Sequence, residues 1–168
     1  MDFLQQQRLD DMFFEADALI REKKITEAMS VLEGILIESP DYGKAYNHLG
    51  WIHETYYKDF VRSEENYRKC IAYKPEYTPV YTNLSITLST LGKFKEQEEL
   101  LANAINVIGI EKAGIYNEMG IMYELQGQYD NAIKHYKIAA QHTLVNLNLE
   151  TYIGSIDRCK KKKDLMFM

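Results

Sequence analysis

Apolar positions recur along this chain with two periods, one long and one helical. Tyr46, Tyr81 and Tyr116 are 35 residues apart, as are Leu49, Leu84 and Met119, and Gly50, Ser85 and Gly120. A second set keeps step downstream: Ala28, Ser63, Gln97 and Ala132 are separated by 35, 34 and 35 residues. Leu32, Tyr67, Leu101 and Tyr136 share that register, and so do Ile35, Cys70, Ala104 and Ala139. Self-similarity at such a fixed period is the signature of stacked repeats, in which no single unit can bury its apolar face alone.

Within a repeat the period falls to that of a helix. Tyr46, Leu49, Gly50 and His53 follow the i, i+3, i+4, i+7 spacing of one helical face. Ala132, Tyr136 and Ala139 mark a second helix in the same way. The segments between them carry Gly92 and Gly127, suited to the left-handed conformation that ends a helix. Pro40 and Pro75 stand just past two second helices and stop them without breaking them. The corner after Gly50 is one residue longer than its counterparts. Nine helices are predicted, the first beginning as early as Phe3.

The combined columns, from about residue 9 to 146, resemble the tetratricopeptide repeat family. The fourth repeat, YNEMGIMYELQGQYDNAIKHYKIAA, carries the family's large–large–small–aromatic first helix and its Ala–aromatic–Ala second helix. The first repeat keeps Ala16, Ala28, Leu32, Ile35 and Pro40 but lacks the aromatic of its first helix. In the third and fourth, Gly109 and Leu144 replace the terminal proline. The resemblance implies an all-α fold, a right-handed α-solenoid of about four helix pairs plus a C-terminal capping helix. The expected boundaries within a single domain of residues 1–168 are 9–42, 43–77, 78–112 and 113–146. A cap over 147–162 and a tail over 163–168 follow. The cap is expected to turn Leu149, Tyr152, Ile153 and Ile156 inward.

Composition narrows the function. The chain has 168 residues and a formal net charge of −5, too acidic a balance for a nucleic-acid face. The one basic run, Arg158 to Lys163, reads as a helix end whose lysines complement the dipole. Neither a secretory leader nor a membrane span is legible, so a cytoplasmic protein is expected. The four histidines make no HExxH pattern, and Cys70 and Cys159 have no metal-ligand spacing. Cys70 occupies the column of Ala104 and Ala139 and reads as a buried filler, whereas Cys159 is expected to be more accessible. No phosphate loop, dinucleotide fingerprint or nucleophile elbow is present. Carboxylates are numerous and read as solvated helix faces. The expectation is a non-enzyme without cofactor or metal.

In the resembled family the first helices line a concave groove that takes peptide ligands. Beside the core stripe runs a second stripe: Phe13 and Asp17, then Asn47, Trp51 and Glu54, then Thr82 and Ile86, then Asn117, Ile121 and Glu124. Trp51, Ile86 and Ile121 align as an apolar column, with Asn47, Thr82 and Asn117 as a polar column suited to a peptide backbone. Asp17, Glu54 and Glu124 oppose capture of a C-terminal carboxylate, which in this family is done by lysines, an arginine and asparagines. A protein or peptide partner of neutral, apolar or mildly basic character is expected, and neither nucleic acid nor membrane. The alternatives are a self-assembling homo-oligomeric scaffold, in which the N-terminal helix or the tail Leu165–Met168 fills a groove, and a small secretion or assembly chaperone.

Overall fold

A computed structural model of the chain describes residues 3–166. Among these residues there are nine α-helices, one π-helical turn and no strand. They are α1 (Phe3–Arg21), α2 (Ile25–Glu38), α3 (Gly43–Ile52), α4 (Phe60–Tyr73), α5 (Pro79–Thr90), α6 (Phe94–Ala104), α7 (Lys112–Leu125), α8 (Tyr129–His142) and α9 (Asn146–Leu165), with the π turn at His53–Tyr57. The chain divides into two compact units between Val80 and Tyr81.

In the first unit, Leu9, Phe13 and Ala16 of α1 meet Leu32 and Ile35 of α2 and Ala45, Leu49 and Ile52 of α3 in one buried cluster. Tyr42 closes it at the α2–α3 turn, its hydroxyl donating to Asp10 Oδ1 at 2.6 Å. In the second unit, Ala132 and Tyr136 of α8 pack with Ile156 and Cys159 of α9, while Ala113 of α7, Ala139 and Tyr152 form a neighbouring cluster. Cys159 is fully buried there, contrary to the expectation of accessibility, because the side of α9 that carries Tyr152, Ser155, Ile156 and Cys159 faces inward. Leu149 and Ile153, expected inward, are 37 and 47% exposed, since they lie on the flank of that face. The tail residues Phe167 and Met168 lie outside the described residues, and α9 runs on to Leu165.

Two pairs share one packing device. A methyl group at Gly50 would stand 2.6 Å from the Tyr67 ring, and one at Gly120 would stand 2.6 Å from the Tyr136 ring. Both rings are wholly buried. The tyrosine therefore fills the space that glycine leaves, and its hydroxyl donates to a glutamate one turn further on: Glu54 at 2.7 Å and Glu124 at 2.8 Å. In the repeats whose column holds Ala16 or Ser85, the residue in the tyrosine's column is the smaller Leu32 or Leu101, also buried. Large against small and medium against medium keeps interior density.

The corners between paired helices also follow one rule with one exception. The first helix ends with a residue at positive φ: Lys23 at 62°, Gly92 at 71° and Gly127 at 71°. The next amide then reaches back across the turn, Lys24 N to Leu19 O, Lys93 N to Leu88 O and Gln128 N to Tyr123 O, at 2.9 Å each. This is the Schellman closure that satisfies the last carbonyls of a helix. At the second corner the same closure runs from Asp59 N to His53 O, one residue wider, and Lys58 takes the left-handed position at φ 54°. The extra residue is absorbed by the π turn. Asp59 then caps α4 by accepting from Arg62 N at 3.0 Å.

Candidate functional site

The π turn changes which side chains share a face. In an α-helix residues 51 and 54 or 55 would be neighbours, but π winding brings residues five apart together. Trp51 accordingly meets Tyr56 edge-on, with ring centroids 5.7 Å apart. His53 lies 5.8 Å from Tyr57. Trp51 is half-buried against the first-unit core, while Tyr56 and Tyr57 are 42 and 54% exposed. The stripe beginning at Asn47 and Trp51 thus continues onto Tyr56. Sequence periodicity missed both tyrosines because it assumed α winding, although the longer corner after Gly50 was its visible trace.

The other first-unit candidates hold the fold together. Phe13 is 8% exposed. Its ring packs against His48 at 4.5 Å and Tyr42 at 5.8 Å, and Lys44 Nζ lies 5.7 Å from its centre. Asn47 is buried. Asp17 pairs with Arg21 at 3.0 Å and approaches His48 Nε2 at 3.5 Å. Burial holds the His48 imidazole below its ordinary range, with Asp17 opposing in part. Glu54 accepts from Tyr67.

In the second unit Ile86 of α5 is 44% exposed, with Thr82 half-buried on the same helix. Asn117 is half-buried on α7, and Ile121 packs against the cluster of Ala132, Tyr136, Ile156 and Cys159. Glu124 is not a free groove acid. Arg158 reaches it with Nε and Nη2 at 2.8 and 2.7 Å, Lys162 at 2.8 Å and Tyr136 at 2.8 Å. These partners, Arg158 first, hold its carboxyl far below the usual range against the opposing effect of burial. The acid that periodicity assigned to this stripe is therefore ion-paired at Glu124, where two cations of α9, Arg158 and Lys162, outnumber the one carboxylate. The basic run is drawn into the same network, Lys163 pairing with Asp130 at 2.5 Å.

One carboxylate escaped the sequence reading. Glu118 of α7 is 9% exposed and accepts from Ser85 Oγ at 3.4 Å, while Gln97 Nε2 donates to Ser85 Oγ at 2.9 Å. Burial raises the Glu118 carboxyl to about 7, and Ser85 opposes this only in part. Among the described residues Gln97 Oε1 meets no hydrogen-bond partner.

Burial pushes the Cys70 thiol up to about 12 and the Cys159 thiol up to about 11, away from the thiolate a nucleophile needs. Among the described residues no group of three or more metal-ligating side chains comes together, and no helix is long and apolar enough to cross a membrane.

Residues 113–140 match the tetratricopeptide repeat family model. No curated protein matches the sequence. Solved structures resemble the chain in fold. PilF of Pseudomonas aeruginosa superposes with a TM-score of 0.82 at 16% identity, over 95% of this chain and 71% of that one. PilW, described as a type IV pilus biogenesis factor, gives 0.75 at 19% identity, over 93 and 76%. YrrB, described as a TPR protein with an unusual peptide-binding site, gives 0.71 at 13% identity, over 91 and 76%. At these identities the likeness shows the all-α helical-repeat fold.

Proposed function

We propose that this chain, a tetratricopeptide repeat protein, works as a protein-interaction module that takes a peptide or protein segment on the first-helix faces of its pairs. The observation that carries the proposal is the aromatic surface at the π turn. Trp51 is braced on the core and edges Tyr56, and Tyr56 and Tyr57 present their rings to solvent. Rigid aromatic side chains on a firm base supply large contact area at low entropic cost and are the commonest interface anchors. In the second unit Ile86, with Thr82 beside it, offers an aliphatic contact next to hydrogen-bonding groups. The peptide-binding site of the similarly folded YrrB supports a peptide as the class of ligand. Glu124 is paired with Arg158 and Lys162, so the second-unit stripe presents no free acid there.

Affinity capture followed by titration of the purified partner tests this reading. Tyr56→Ala removes an exposed ring without opening the core, so the expected loss is about 30-fold or more in affinity with melting unchanged. Trp51→Ala is expected to lose at least as much and to lower stability as well, because Trp51 also packs on the first-unit core. Unchanged partner affinity in both variants would remove the proposal.

A further inference from the structure

The ion pair that closes over Glu124 has a counterpart that the chain leaves incomplete. Glu54 and Glu124 stand 70 residues apart, two repeat periods, at the ends of the first helices of the second and fourth pairs. Each offers Oε2 to the tyrosine packed on the preceding glycine, Tyr67 at 2.7 Å and Tyr136 at 2.8 Å. At Glu124, α9 takes up the rest of the carboxylate. Arg158 spans both oxygens with Nε and Nη2, and Lys162 adds a third contact. The positions in register with Arg158 and Lys162 for Glu54 are Leu88 and Gly92, neither of them a cation. Among the described residues no lysine, arginine or histidine pairs with Glu54. Lys58, the nearest cation along the chain, ends the same turn without reaching it.

The distribution of charge favours a cation from outside. Residues 1–80, the first unit, hold 15 Asp and Glu against 10 Lys and Arg, whereas residues 81–168 hold ten of each. The whole net charge of −5 therefore belongs to the unit that carries Glu54, and its field draws basic ligands. Glu54 lies within the π turn, in the chain between Trp51 and the exposed Tyr56 and Tyr57, and is half-buried.

We infer that Glu54 receives an arginine side chain of the bound peptide, completing from outside the pair that Arg158 makes from within at Glu124. This contact presupposes that the π-turn surface takes a peptide, and it adds the residue type by which the partner is selected. Tyr67 already fixes one carboxylate oxygen, so little ordering is left to be done when the ligand arrives. A guanidinium suits the place better than an ammonium. It spans both oxygens of a carboxylate, as Arg158 does, and its planar face stacks on rings such as those of Trp51 and Tyr56.

A random linear peptide library displayed on phage, selected on the whole chain, is the probe. Wild type is expected to select peptides that share an arginine. Replacing that arginine by citrulline keeps the shape and removes the charge, and is expected to weaken binding to wild type about tenfold or more. High salt is expected to weaken the arginine peptide and to leave the citrulline peptide nearly unchanged. Glu54→Gln can still accept from Tyr67 and is expected to melt as wild type does, and on it the citrulline replacement should change affinity by about twofold at most. Wild-type binders that share no arginine overturn the inference. So does an equal loss from citrulline on wild type and on Glu54→Gln. Tyr56→Ala separates this contact from the peptide-binding role beneath it. Binders that lose affinity for Tyr56→Ala and ignore Glu54→Gln leave that role standing and remove the arginine contact. A selection without binders, or binders indifferent to both variants, removes the two together.

Discussion

Gly120→Ala is expected to destabilise the second unit by about 2 kcal/mol, although alanine is the better helix former by about 1 kcal/mol. The added methyl group would meet Tyr136 Cδ1 and Cε1 at 2.6 Å. That ring cannot swing away cheaply. It is wholly buried, and its hydroxyl is fixed to Glu124, which Arg158 and Lys162 hold in turn. The overpacked pair must separate or strain its rotamers. The chain contains its own remedy, since the repeats with Ala16 and Ser85 in the glycine's column carry Leu32 and Leu101 in the tyrosine's. Gly120→Ala combined with Tyr136→Leu should therefore cost less than the sum of the two single changes, by about 1.5 kcal/mol or more. Denaturant unfolding of the four proteins in a double-mutant cycle measures this coupling. Additivity to within about 0.5 kcal/mol would show that ring and glycine are not matched in size.

The second large effect is a stability that declines with pH through the neutral range, traceable to one carboxyl group. Glu118 has its carboxyl raised by burial to about 7 from an ordinary value of 4.5. Between those pH values the folded chain keeps the proton and the unfolded chain releases it. Each rise in pH there favours unfolding, and the contribution present below pH 4.5 is gone above about 7. The full span is roughly 3 kcal/mol at about 1.4 kcal/mol per unit. Glu124 works with the opposite sign, since its carboxyl is depressed and its contribution is lost as pH falls below 4.5. His48, His53 and His135 are pushed below 6.5 by burial and also favour the folded state as pH rises toward that value. The clean measurement is the difference between wild type and Glu118→Gln at each pH. The amide keeps the shape and cannot ionise, so the variant is expected to gain stability steadily from pH 4.5 to 7.5 and to level off beyond. A flat difference would exclude Glu118 as the source.

The repeat columns were legible because they record packing that recurs every 34 or 35 residues, and recurrence is visible in one sequence. Gly50 and Gly120 are small where Tyr67 and Tyr136 are large, and the opposed columns carry that geometry directly. The stripe beside the core was less legible, because periodicity places residues on a face without saying what covers the face. Phe13 lies on the predicted stripe and yet belongs to the core, where Tyr42 and His48 pack on it. Glu124 lies on the stripe and is claimed by α9, some 34 residues on, at Arg158. Glu118 was concealed for a different reason. A carboxylate on an amphipathic helix normally faces water, and only the polar pair of Ser85 and Gln97, standing in columns otherwise filled by Ala, Gly or Ser, hinted that the third and fourth pairs meet through polar side chains. The exposed tyrosines depended on winding, which an added residue signals but does not specify.

The π turn has a consequence for how such a chain can vary. Its added residue alters the corner between α3 and α4 while Gly50 still seats Tyr67, and Ser63 Oγ still reaches the Gly50 carbonyl at 2.9 Å. The insertion is contained within five residues and emerges as a rearranged aromatic surface. The corner therefore behaves as a length-tolerant port, at which exterior chemistry can be edited while the interior stays in register. One-residue insertions at the three other corners, beside Lys23, Gly92 and Gly127, would be a compact route to changing which partners the same scaffold accepts.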